Sequence, residues 1–406
     1  MNVLLICQYY YPDLVSTGLH MTELTIKMKE LDPNLNISVF TAESNRSEFI
    51  NTKQKTELYK GVFIKRVRNL GKHSGTLFQR FIFAFTFFCK AFFYVLHNRK
   101  KFDKIIITTN PPFLGLITLF TKKIFRIPFV LIVYDIHPQT LVKLGLLKSN
   151  SFVTKMWRWI NIKIYNSADN IISIGNDMTE IIVKDMNVKN IEKISLIHNW
   201  ADRNSVFSIP LDQNQFVRKY NLEGKKILLY SGTIGTTHNV EPILQAAEDL
   251  SDFKDILFVF IGSGGKRKIV EQFISEKKPK NLILLEFQPF ELLTHVLSSA
   301  TSSFVCLDDN YIGLSVPSKA YGIMAAGIPI IGLLDFKSEI GSAIIKHDCG
   351  IVWNSKSKTK LSEEILKLIS DKTLISHFSE NAYNAFKNNY DLEISASKYI
   401  SLINSH

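Results

Sequence analysis

Several features that mark common protein classes are scarce in this sequence of 406 residues. Its four cysteines are widely separated and form no C-x-x-C pair, which argues against a zinc site and against a disulfide framework. Such cysteine usage fits a reducing compartment. The first residues lack the basic segment of a secretory signal and run directly into an apolar strand pattern, so we expect a cytoplasmic protein.

Long hydrophobic runs are also rare. The most apolar stretch, Phe81 to Leu96, is shorter than the ~20 residues that a membrane span needs, and Lys90 interrupts it. We therefore predict a helix that does not cross the bilayer. The nearest approach to a D-x-D metal motif is Asp308-Asp309-Asn310, whose composition is more typical of a solvated turn.

Acidic residues are scarce in the first half of the chain. Residues 1–200 hold 27 Lys and Arg against 14 Asp and Glu, and residues 51–104 hold 13 against two, whereas the second half is nearly balanced with 22 against 23. Basic charge beside the phenylalanine-rich stretch from Phe78 to Leu96 fits contact with an anionic membrane surface. The basic residues that precede this stretch are Lys65, Arg66, Arg68 and Lys72. A buried crossover helix with solvated charges is the alternative. Nucleic acid is a weaker interpretation, because no nucleic-acid-binding module is recognisable.

Two series of alternating strands and helices follow one another along the chain. Short, continuously apolar runs are typical of strands buried in a parallel sheet. The predicted strands are residues 2–7, 37–41, 63–67, 103–109, 129–134 and 170–174 in the first series, and 226–230, 256–261, 282–285, 303–306 and 328–331 in the second. We therefore predict an α/β protein with two doubly wound, Rossmann-like domains, residues 1–200 and 201–388.

Two glycine turns in the second series follow predicted strands, where such folds bind ligands. In Ser231-Gly-Thr-Ile-Gly235 the glycines permit positive φ and close approach of an anion to the backbone. Gly262-Ser-Gly-Gly265 is followed by Lys266 and Arg267, which can pair with a phosphate. Arg267 also occupies the third glycine position of a dinucleotide fingerprint, which disfavours a nicotinamide cofactor. Each turn alone is equally compatible with an ordinary strand-to-helix connection.

A third segment, Ser315 to Pro329, predicts a short helix that is rich in small residues. Ser318 is expected to act as its N-cap, and Gly327 with Pro329 is expected to end it. The amino terminus of such a helix, together with Lys319, can attract an anion. A core helix with an exposed lysine is the alternative.

Taken together, these segments resemble glycosyltransferase family 4, in particular the branch of N-acetylfucosamine-type transferases of bacterial O-antigen and capsule synthesis. The motifs that carry the resemblance cover nearly the whole chain. They are Tyr10-Tyr-Pro-Asp13, Thr108-Thr-Asn-Pro-Pro112, Tyr134-Asp-Ile-His-Pro-Gln139, Leu196-Ile-His-Asn-Trp-Ala-Asp202, Tyr230-Ser-Gly-Thr-Ile-Gly235, Phe260-Ile-Gly-Ser-Gly264, Phe287-Gln-Pro-Phe290 and Pro317-Ser-Lys-Ala-Tyr-Gly-Ile-Met-Ala-Ala-Gly327. The resemblance implies a GT-B fold, in which two Rossmann-like domains face each other across a cleft. It also implies that the last segment, 389–406, returns to the first domain.

The resemblance further implies a set of substrate-binding residues. Thr17 and Gly18 would face donor and acceptor from the first domain. Asp135 and His137 would lie near the acceptor hydroxyl as candidate catalytic groups, although either could merely stabilise its loop. The implied donor-binding residues are Gly232, Thr233, Gly235, Gly262, Gly264, Lys266, Arg267, Phe287, Gln288, Ser315, Val316, Pro317, Ser318 and Lys319.

The sequence departs from the family at two places. Leu314 and Gly322 occupy positions where glutamates are usual, so the contact to the donor ribose is unassigned. Thr236, Thr237 and His238 replace a commonly basic pair after the first glycine turn. The phosphate charge would have to be met by backbone N–H groups and by the remaining cations. These cations are Lys319, Lys266 and Arg267.

The resemblance implies a retaining, metal-independent transferase that needs no cofactor. It would move a sugar from a nucleotide donor, expected to be UDP-linked, to a lipid-linked oligosaccharide at the inner face of the cytoplasmic membrane. Two alternatives stay open at this point. A nucleotide-sugar epimerase can have the same architecture but needs no lipid surface, and a non-catalytic relative would retain the fold without turnover. Acceptor-dependent release of the nucleotide would distinguish the transferase from both.

Overall fold

The structure is a computed structural model that describes residues 1–13, 16–43, 54–71 and 76–405. The chain divides into two compact units. Unit 1 comprises Met1–Asn199, Gly313–Ser315 and Leu392–His406, and unit 2 comprises Trp200–Ile312 and Val316–Asp391. The basic residue Lys72, which the sequence analysis included in the positive patch, lies outside the described residues.

Unit 1 is built around an eight-stranded sheet. Its strands are β1 (Asn2–Ile6), β2 (Asn36–Ala42), β3 (Thr56–Tyr59), β4 (Val62–Val67), β5 (Lys104–Thr108), β6 (Phe129–Val133), β7 (Asn170–Ser173) and β8 (Ile194–Leu196). They are ordered β3-β4-β2-β1-β5-β6-β7-β8, and among these described strands only the β3–β4 pair is antiparallel. The helices that connect them are α1 (Ser16–Leu31), α2 (Leu77–Asn98), α3 (Gly115–Phe125), α4 (Gln139–Lys143), α5 (Phe152–Ser167) and α6 (Asn176–Asp185).

Unit 2 contains a six-stranded, entirely parallel sheet. Its strands are β9 (Lys226–Ser231), β10 (Ile256–Ile261), β11 (Leu282–Leu285), β12 (Ser302–Cys306), β13 (Ile330–Leu333) and β14 (Gly350–Trp353), in the order β11-β10-β9-β12-β13-β14. Its helices are α7 (Gln215–Tyr220), α8 (Glu241–Asp249), α9 (Arg267–Lys277), α10 (Leu293–Ser298), α11 (Lys319–Ala325), α12 (Glu339–His347), α13 (Leu361–Ser370) and α14 (Lys372–Ala385).

Strand order reverses once in each sheet, beside β1 in unit 1 and beside β9 in unit 2. A doubly wound sheet has this reversal, and the carboxyl ends of the strands next to it are where such folds bind ligands. The α/β prediction with two doubly wound sheets is therefore confirmed. The buried apolar residues of β6 and β10 explain why both strands appear in the sequence as continuous hydrophobic runs.

The last helix, α15 (Leu392–Asn404), belongs to unit 1, where it packs against α1. The buried side chain of Lys104 in β5 fixes its end, because Nζ donates hydrogen bonds to Ile403 O at 2.7 Å and to Ser405 O at 3.4 Å. A cation at the carboxyl end of a helix is favourable, since it satisfies terminal carbonyl groups and complements the helix dipole. Burial nevertheless lowers the pKa of Lys104.

Helix α2 is longer than the sequence analysis predicted. It spans 22 residues, and Phe78–Lys101 is, within the described part of the chain, the one stretch long and apolar enough to cross a membrane by length and composition. The argument from length against a membrane span is therefore wrong. A stripe at four-residue spacing, Phe83, Phe87, Ala91 and Val95, is nonetheless buried in unit 1. The Phe87 ring lies 5.8 Å from that of Phe40 in β2, so α2 also packs as a crossover helix.

Arg66 does not contribute to a basic surface, contrary to the sequence-based expectation. Its side chain is among the largest that are fully buried. Nη1 forms an ion pair with Glu57 Oε2 at 2.6 Å, and Nη2 donates to Tyr11 O at 2.9 Å. Arg66 thus joins β3 and β4 to the loop after β1 and is a structural residue.

We expect Lys104→Met to weaken the attachment of α15. The substitution keeps an unbranched side chain of similar length but leaves the buried carbonyl group of Ile403, and the more exposed one of Ser405, without their charged donor, which costs about 2 kcal/mol. Urea unfolding measures the loss, and faster hydrogen exchange in residues 392–404 locates it. Lys101→Met, at an exposed position, is the matched control. Equal protection of α15 in both variants would contradict this account.

Candidate functional site

Two glycine turns of unit 2 pack against each other at the carboxyl ends of β9 and β10. Gly232 N–H donates to Ile261 O and Ile234 N–H donates to Ser263 O, both at 2.9 Å. A Cβ added to Gly262 would overlap Gly232 O, and a Cβ on Gly264 would lie 2.5 Å from Ile234 O. These glycines have φ of +136° and +146°. Contact between the two turns therefore requires them, independently of any ligand.

The ammonium group of Lys319 is buried beside the first glycine turn. Among the described residues, no group forms a hydrogen bond with Nζ. The nitrogen lies 4.0 Å from the centre of the Tyr230 ring, and a Cβ on Gly232 would be 3.5 Å from it. Burial lowers the pKa of Lys319 to about 8, because desolvation disfavours the charged form. A buried cation without an anion, next to a turn of glycines, suits a phosphate group.

The two other candidate cations are already paired. Lys266 Nζ lies 3.0 Å from Glu241 Oε1. The Arg267 guanidinium contacts Glu271 at 2.8 Å and Glu286 at 2.6 Å, and it also donates to Gly262 O. A phosphate bound by either side chain would have to compete with these carboxylates. Lys319 is therefore the best placed of the three candidates.

The hydroxyl group of Tyr230 joins both ends of the first glycine turn. It donates to Thr233 O at 2.9 Å and lies 2.7 Å from His238 Nδ1. Gly235 N–H also points to this ring nitrogen, as a hydrogen-bond donor at 3.3 Å. Burial, with a smaller contribution from the charge of Lys319, lowers the pKa of His238 to about 3, so the imidazole is neutral at pH 7. Sequence reasoning gave no role to Tyr230 or His238.

Phe287 and Gln288 follow β11 beside the second glycine turn. The Phe287 ring is exposed, and its Cε1 would be 3.3 Å from a Cβ on Gly262. Gln288 Oε1 accepts hydrogen bonds from Tyr220 at 3.1 Å and Lys219 at 3.3 Å, so its side chain is engaged within the protein. An exposed aromatic ring at this position offers a flat apolar surface for a base or sugar ring.

The segment from Ser315 to Lys319 precedes α11, which has only seven residues. Ser318 occupies the predicted N-cap position, although its side chain makes no capping hydrogen bond to the described first turn of this helix. Val316 is buried, whereas Pro317 and Ser318 are partly exposed. Gly327 has φ of +66° just after the helix, which confirms the predicted helix end.

In unit 1, Asp135 and His137 line a cavity of about 30 Å³ after β6. Its other walls include Pro112, Phe113 and Trp157. The cavity is comparable in size to one or two water molecules. Apolar and aromatic walls with a few polar groups are typical of ligand pockets, and this volume has room for a water molecule or a single hydroxyl group.

Backbone hydrogen bonds hold the loop that carries these two side chains. Thr109 Oγ1 accepts from Asp135 N at 3.3 Å, and Asn161 Nδ2 donates to His137 O at 2.6 Å. His137 Nδ1 is buried with no hydrogen-bond partner in the described structure. Burial raises the pKa of Asp135 and lowers that of His137, and the attraction between the two groups opposes both shifts. Sequence reasoning missed Thr109 and Asn161.

Thr17 and Gly18 lie in the first turn of α1. Gly18 is buried, and a Cβ there would overlap Asp13 O. Gly18 O also accepts a hydrogen bond from Thr22 Oγ1 at 2.7 Å. Close packing at this turn therefore requires a glycine, whereas Thr17 is partly exposed.

No group of three or more potential metal-binding side chains occurs among the residues that the structure describes. The Asp308 carboxylate accepts from both nitrogens of Asn310 at 2.9 Å, as in a local turn. That the reaction needs neither a metal ion nor a cofactor stays a prediction.

Comparisons with known proteins agree with this geometry. Residues 212–385 match the family described as "Glycosyl transferases group 1". A probable glycosyltransferase of Pseudomonas aeruginosa, WbjE, is 26% identical over 99% of this chain and 97% of its own. Two solved structures superimpose over 100% of both chains with a TM-score of 0.73. They are WaaG, a glycosyltransferase involved in lipopolysaccharide biosynthesis, at 13% identity, and Anabaena HepE in complex with UDP, at 12% identity.

The chain is a glycosyltransferase with the GT-B fold. Residues 212–385, which include both glycine turns and Lys319, form a domain of the group 1 glycosyl transferases. For residues 212–385 this confirms the glycosyltransferase resemblance that the sequence motifs indicated.

We expect Gly262→Ala to destabilise unit 2. The new Cβ would overlap Gly232 O and would strain a backbone with φ of +136°, at a cost of about 2 kcal/mol in urea unfolding. Gly322→Ala is the matched control, because its Cβ would meet only Leu297 Cδ1 at an ordinary 3.7 Å. That substitution in α11 should be neutral or stabilise by up to about 1 kcal/mol. Wild-type stability of Gly262→Ala would refute the role of turn-to-turn contact.

Proposed function

We propose that this enzyme transfers a sugar from a UDP-linked donor to a lipid-linked glycan during bacterial surface polysaccharide synthesis, with retention of anomeric configuration and without a metal ion. The observation that supports a nucleotide-sugar donor is the buried, unpaired ammonium of Lys319 beside the Gly232 turn. Charge develops on the departing diphosphate during transfer. A fixed cation in a site of low dielectric stabilises that charge most effectively.

The choice of donor rests on the neighbouring groups in unit 2. Lys319 and the turn from Gly232 to Gly235 would bind the diphosphate, with Thr233 available to it, while Phe287 would lie against the base. HepE, which has the same fold, was solved with UDP bound. Lys266 and Arg267 would assist only after release from their carboxylates. The segment from Ser315 to Ser318 would close the phosphate site.

The proposed activation of the acceptor hydroxyl rests on Asp135. A carboxyl group whose pKa is raised by burial can receive a proton at a pH closer to neutrality. We therefore assign Asp135 to accept a hydrogen bond from the attacking acceptor hydroxyl, and His137 to orient that hydroxyl. The transfer breaks the bond between the anomeric carbon and the diphosphate oxygen and forms a bond to the acceptor oxygen. The hydroxyl proton leaves with the diphosphate or with Asp135.

A lipid-linked acceptor is supported by one face of unit 1. Helices α2, α3 and α5 pack side by side, since Phe92 lies 5.1 Å from Phe120 and a Cβ on Gly115 would contact Ile164. None of the three helices contains an Asp or Glu residue. Their exposed large apolar residues are Phe78, Phe81, Phe85, Phe93, Phe120, Ile124, Phe152, Val153, Met156 and Trp159.

This aromatic and basic face suits the surface of an anionic membrane. Aromatic side chains enter the boundary between headgroups and acyl chains, and Lys and Arg attract the headgroups. Basic residues on the same helices include Arg80, Lys90, Lys123, Lys155 and Arg158. A peripheral position on the inner face of the cytoplasmic membrane would bring unit 1 to a lipid-linked acceptor. A nucleotide-sugar epimerase would have no use for such a face.

The decisive experiment measures nucleotide release from a panel of nucleotide sugars, with and without lipid extract from the source organism. The proposal expects UDP release from one donor, only when the extract is present, and unchanged in EDTA. Release without any acceptor would favour hydrolysis or epimerase chemistry. Dependence on added divalent metal would overturn the metal-independent mechanism. Measurable UDP binding without turnover on any donor would favour a non-catalytic relative.

Lys319→Met should weaken UDP binding by about 10- to 100-fold, because one charge-assisted hydrogen bond to phosphate is lost. Isothermal titration calorimetry with UDP measures the change. Lys346→Met, at an exposed position of α12, is the control for loss of one positive charge in unit 2. Should both variants bind UDP equally well, Lys319 does not hold the diphosphate.

The same lysine predicts how UDP binding depends on pH. Its pKa in the free enzyme is about 8, so its charged fraction falls as pH rises through that value. The bound phosphates favour the charged form, and UDP affinity should therefore fall about tenfold from pH 7 to pH 9. Binding near pH 8 should take up a proton, which calorimetry in two buffers with different ionisation enthalpies detects. Lys319→Met should abolish this uptake.

The double variant Phe81→Ser/Phe85→Ser should reduce binding to vesicles that contain phosphatidylglycerol by at least tenfold, because it removes two exposed aromatic side chains from the proposed membrane face. Vesicle co-sedimentation measures the effect. Phe253→Ser/Phe336→Ser removes two similarly exposed rings from unit 2 and serves as the control. Equal loss of binding in both variants would argue for non-specific adhesion instead of a defined face.

A further inference from the structure

We propose that Tyr230 and His238 are positioning residues of the donor-diphosphate site, a role that rests on the proposed function. Neither side chain need touch the donor. Tyr230 holds the ammonium of Lys319 with its ring and the first glycine turn with its hydroxyl group. His238 in turn fixes the hydroxyl group of Tyr230.

The contact distances indicate which groups donate and which accept in the hydrogen bonds between His238, Tyr230 and Thr233. A tyrosine hydroxyl has one hydrogen, so it cannot donate to Thr233 O and to His238 Nδ1 at once. The shorter contacts, 2.7 and 2.9 Å, are satisfied together if Nδ1–H donates to the Tyr230 oxygen and Tyr230 O–H donates to Thr233 O. In this tautomer Nδ1 no longer accepts the longer hydrogen bond from Gly235 N–H, at 3.3 Å, and that N–H group becomes available to a ligand.

This chain of hydrogen bonds crosses the glycine turn. It begins at His238, beyond the turn, and ends at Thr233 O, inside it. The turn therefore has a fixed shape before any ligand arrives, and preorganised donors stabilise developing charge without the cost of reorganisation. Aligned hydrogen bonds in a buried chain also strengthen one another.

The ring of Tyr230 supplies the second connection. Lys319 Nζ lies 4.0 Å from its centre, close enough for a cation–π interaction. The face of the ring compensates part of the charge that no carboxylate among the described neighbours neutralises. An aromatic ring holds the ammonium less tightly than an ion pair would, so Lys319 keeps its charge available for a diphosphate.

The pair carries no formal charge at neutral pH. Burial raises the pKa of Tyr230, and it lowers the pKa of His238 to about 3. The cationic groups that face His238 are Lys319 and Lys266, and both disfavour its protonation. His238 therefore acts through its hydrogen bond. His238 is one of the residues that stand where the family usually has a basic pair. A neutral side chain that shapes the turn by hydrogen bonding therefore replaces a positive charge at this position.

The test compares four proteins: wild type, Tyr230→Phe, His238→Leu and His238→Asn. Tyr230→Phe keeps the ring under Lys319 but removes the hydroxyl group. His238→Leu removes the donor, whereas His238→Asn restores an N–H close to the position of Nδ1. Calorimetry with UDP and with uridine separates the diphosphate contribution from that of the nucleoside. The KM and kcat values for the donor are measured on the same proteins.

Tyr230→Phe and His238→Leu should each weaken UDP binding about tenfold, which corresponds to one hydrogen bond with its buried partner left unpaired. Uridine binding should not change, and His238→Asn should recover UDP affinity to within about threefold of wild type. The donor KM should rise and kcat should fall in the first two variants, because the same groups bind the diphosphate and stabilise the charge that develops on it during transfer. NMR of ¹⁵N-labelled histidine should find the proton of His238 on Nδ1.

Several outcomes would overturn the inference. Equal loss of UDP and uridine binding would mean that the pair supports the fold of unit 2 in general. Wild-type UDP affinity in Tyr230→Phe would mean that the turn needs no such support, and this variant remains informative if His238→Leu does not fold. Failure of wild-type protein to bind UDP would instead refute the proposed function, which separates the two ideas.

Discussion

The contact between the two glycine turns of unit 2 is the constraint on which the candidate donor site depends. The backbones after β9 and β10 meet so closely that Gly262 and Gly264 admit no side chain. Their hydrogen bonds continue the parallel ladder beyond the strands, which makes the turns part of the sheet. Tyr230 is the penultimate residue of β9, so its ring is fixed by the sheet, and Lys319 packs on that ring. A flexible loop could not hold a buried charge in one place.

The sequence predicted the fold well where strands are buried on both sides. Continuous apolar runs identified β1, β6, β9 and β10, because a parallel sheet covered by helices leaves no polar face. It missed the edge or near-edge strands β3, β8 and β14, in which no residue is fully buried. Short, half-exposed strands have mixed composition and lack that signal. The length of α2 was also underestimated, since polar residues at its ends continue the helix.

The candidate site was predictable in its outline but not in the division of roles. Lys319, Lys266 and Arg267 look alike in a sequence, and only their neighbours distinguish the unpaired cation from the two that are held by carboxylates. Arg66 in unit 1 is a similar case, because the sequence analysis assigned it to the surface and the structure buries it against Glu57. Ion pairs between residues far apart or on different elements leave no periodic pattern. Tyr230 and His238 were overlooked because a neutral pair has no charge signature.

The place of α15 has a consequence for how the protein is made. Lys104 and Ile403, joined by a hydrogen bond, are separated by 299 positions along the chain. During synthesis the sheet of unit 1 emerges first, but the helix that covers α1 follows only after all of unit 2 has been translated. The apolar surface of unit 1 that α15 covers therefore stays exposed while unit 2 is being translated. An apolar surface exposed in this way is prone to aggregate, and the late docking of α15 closes the long loop between Lys104 and Ile403.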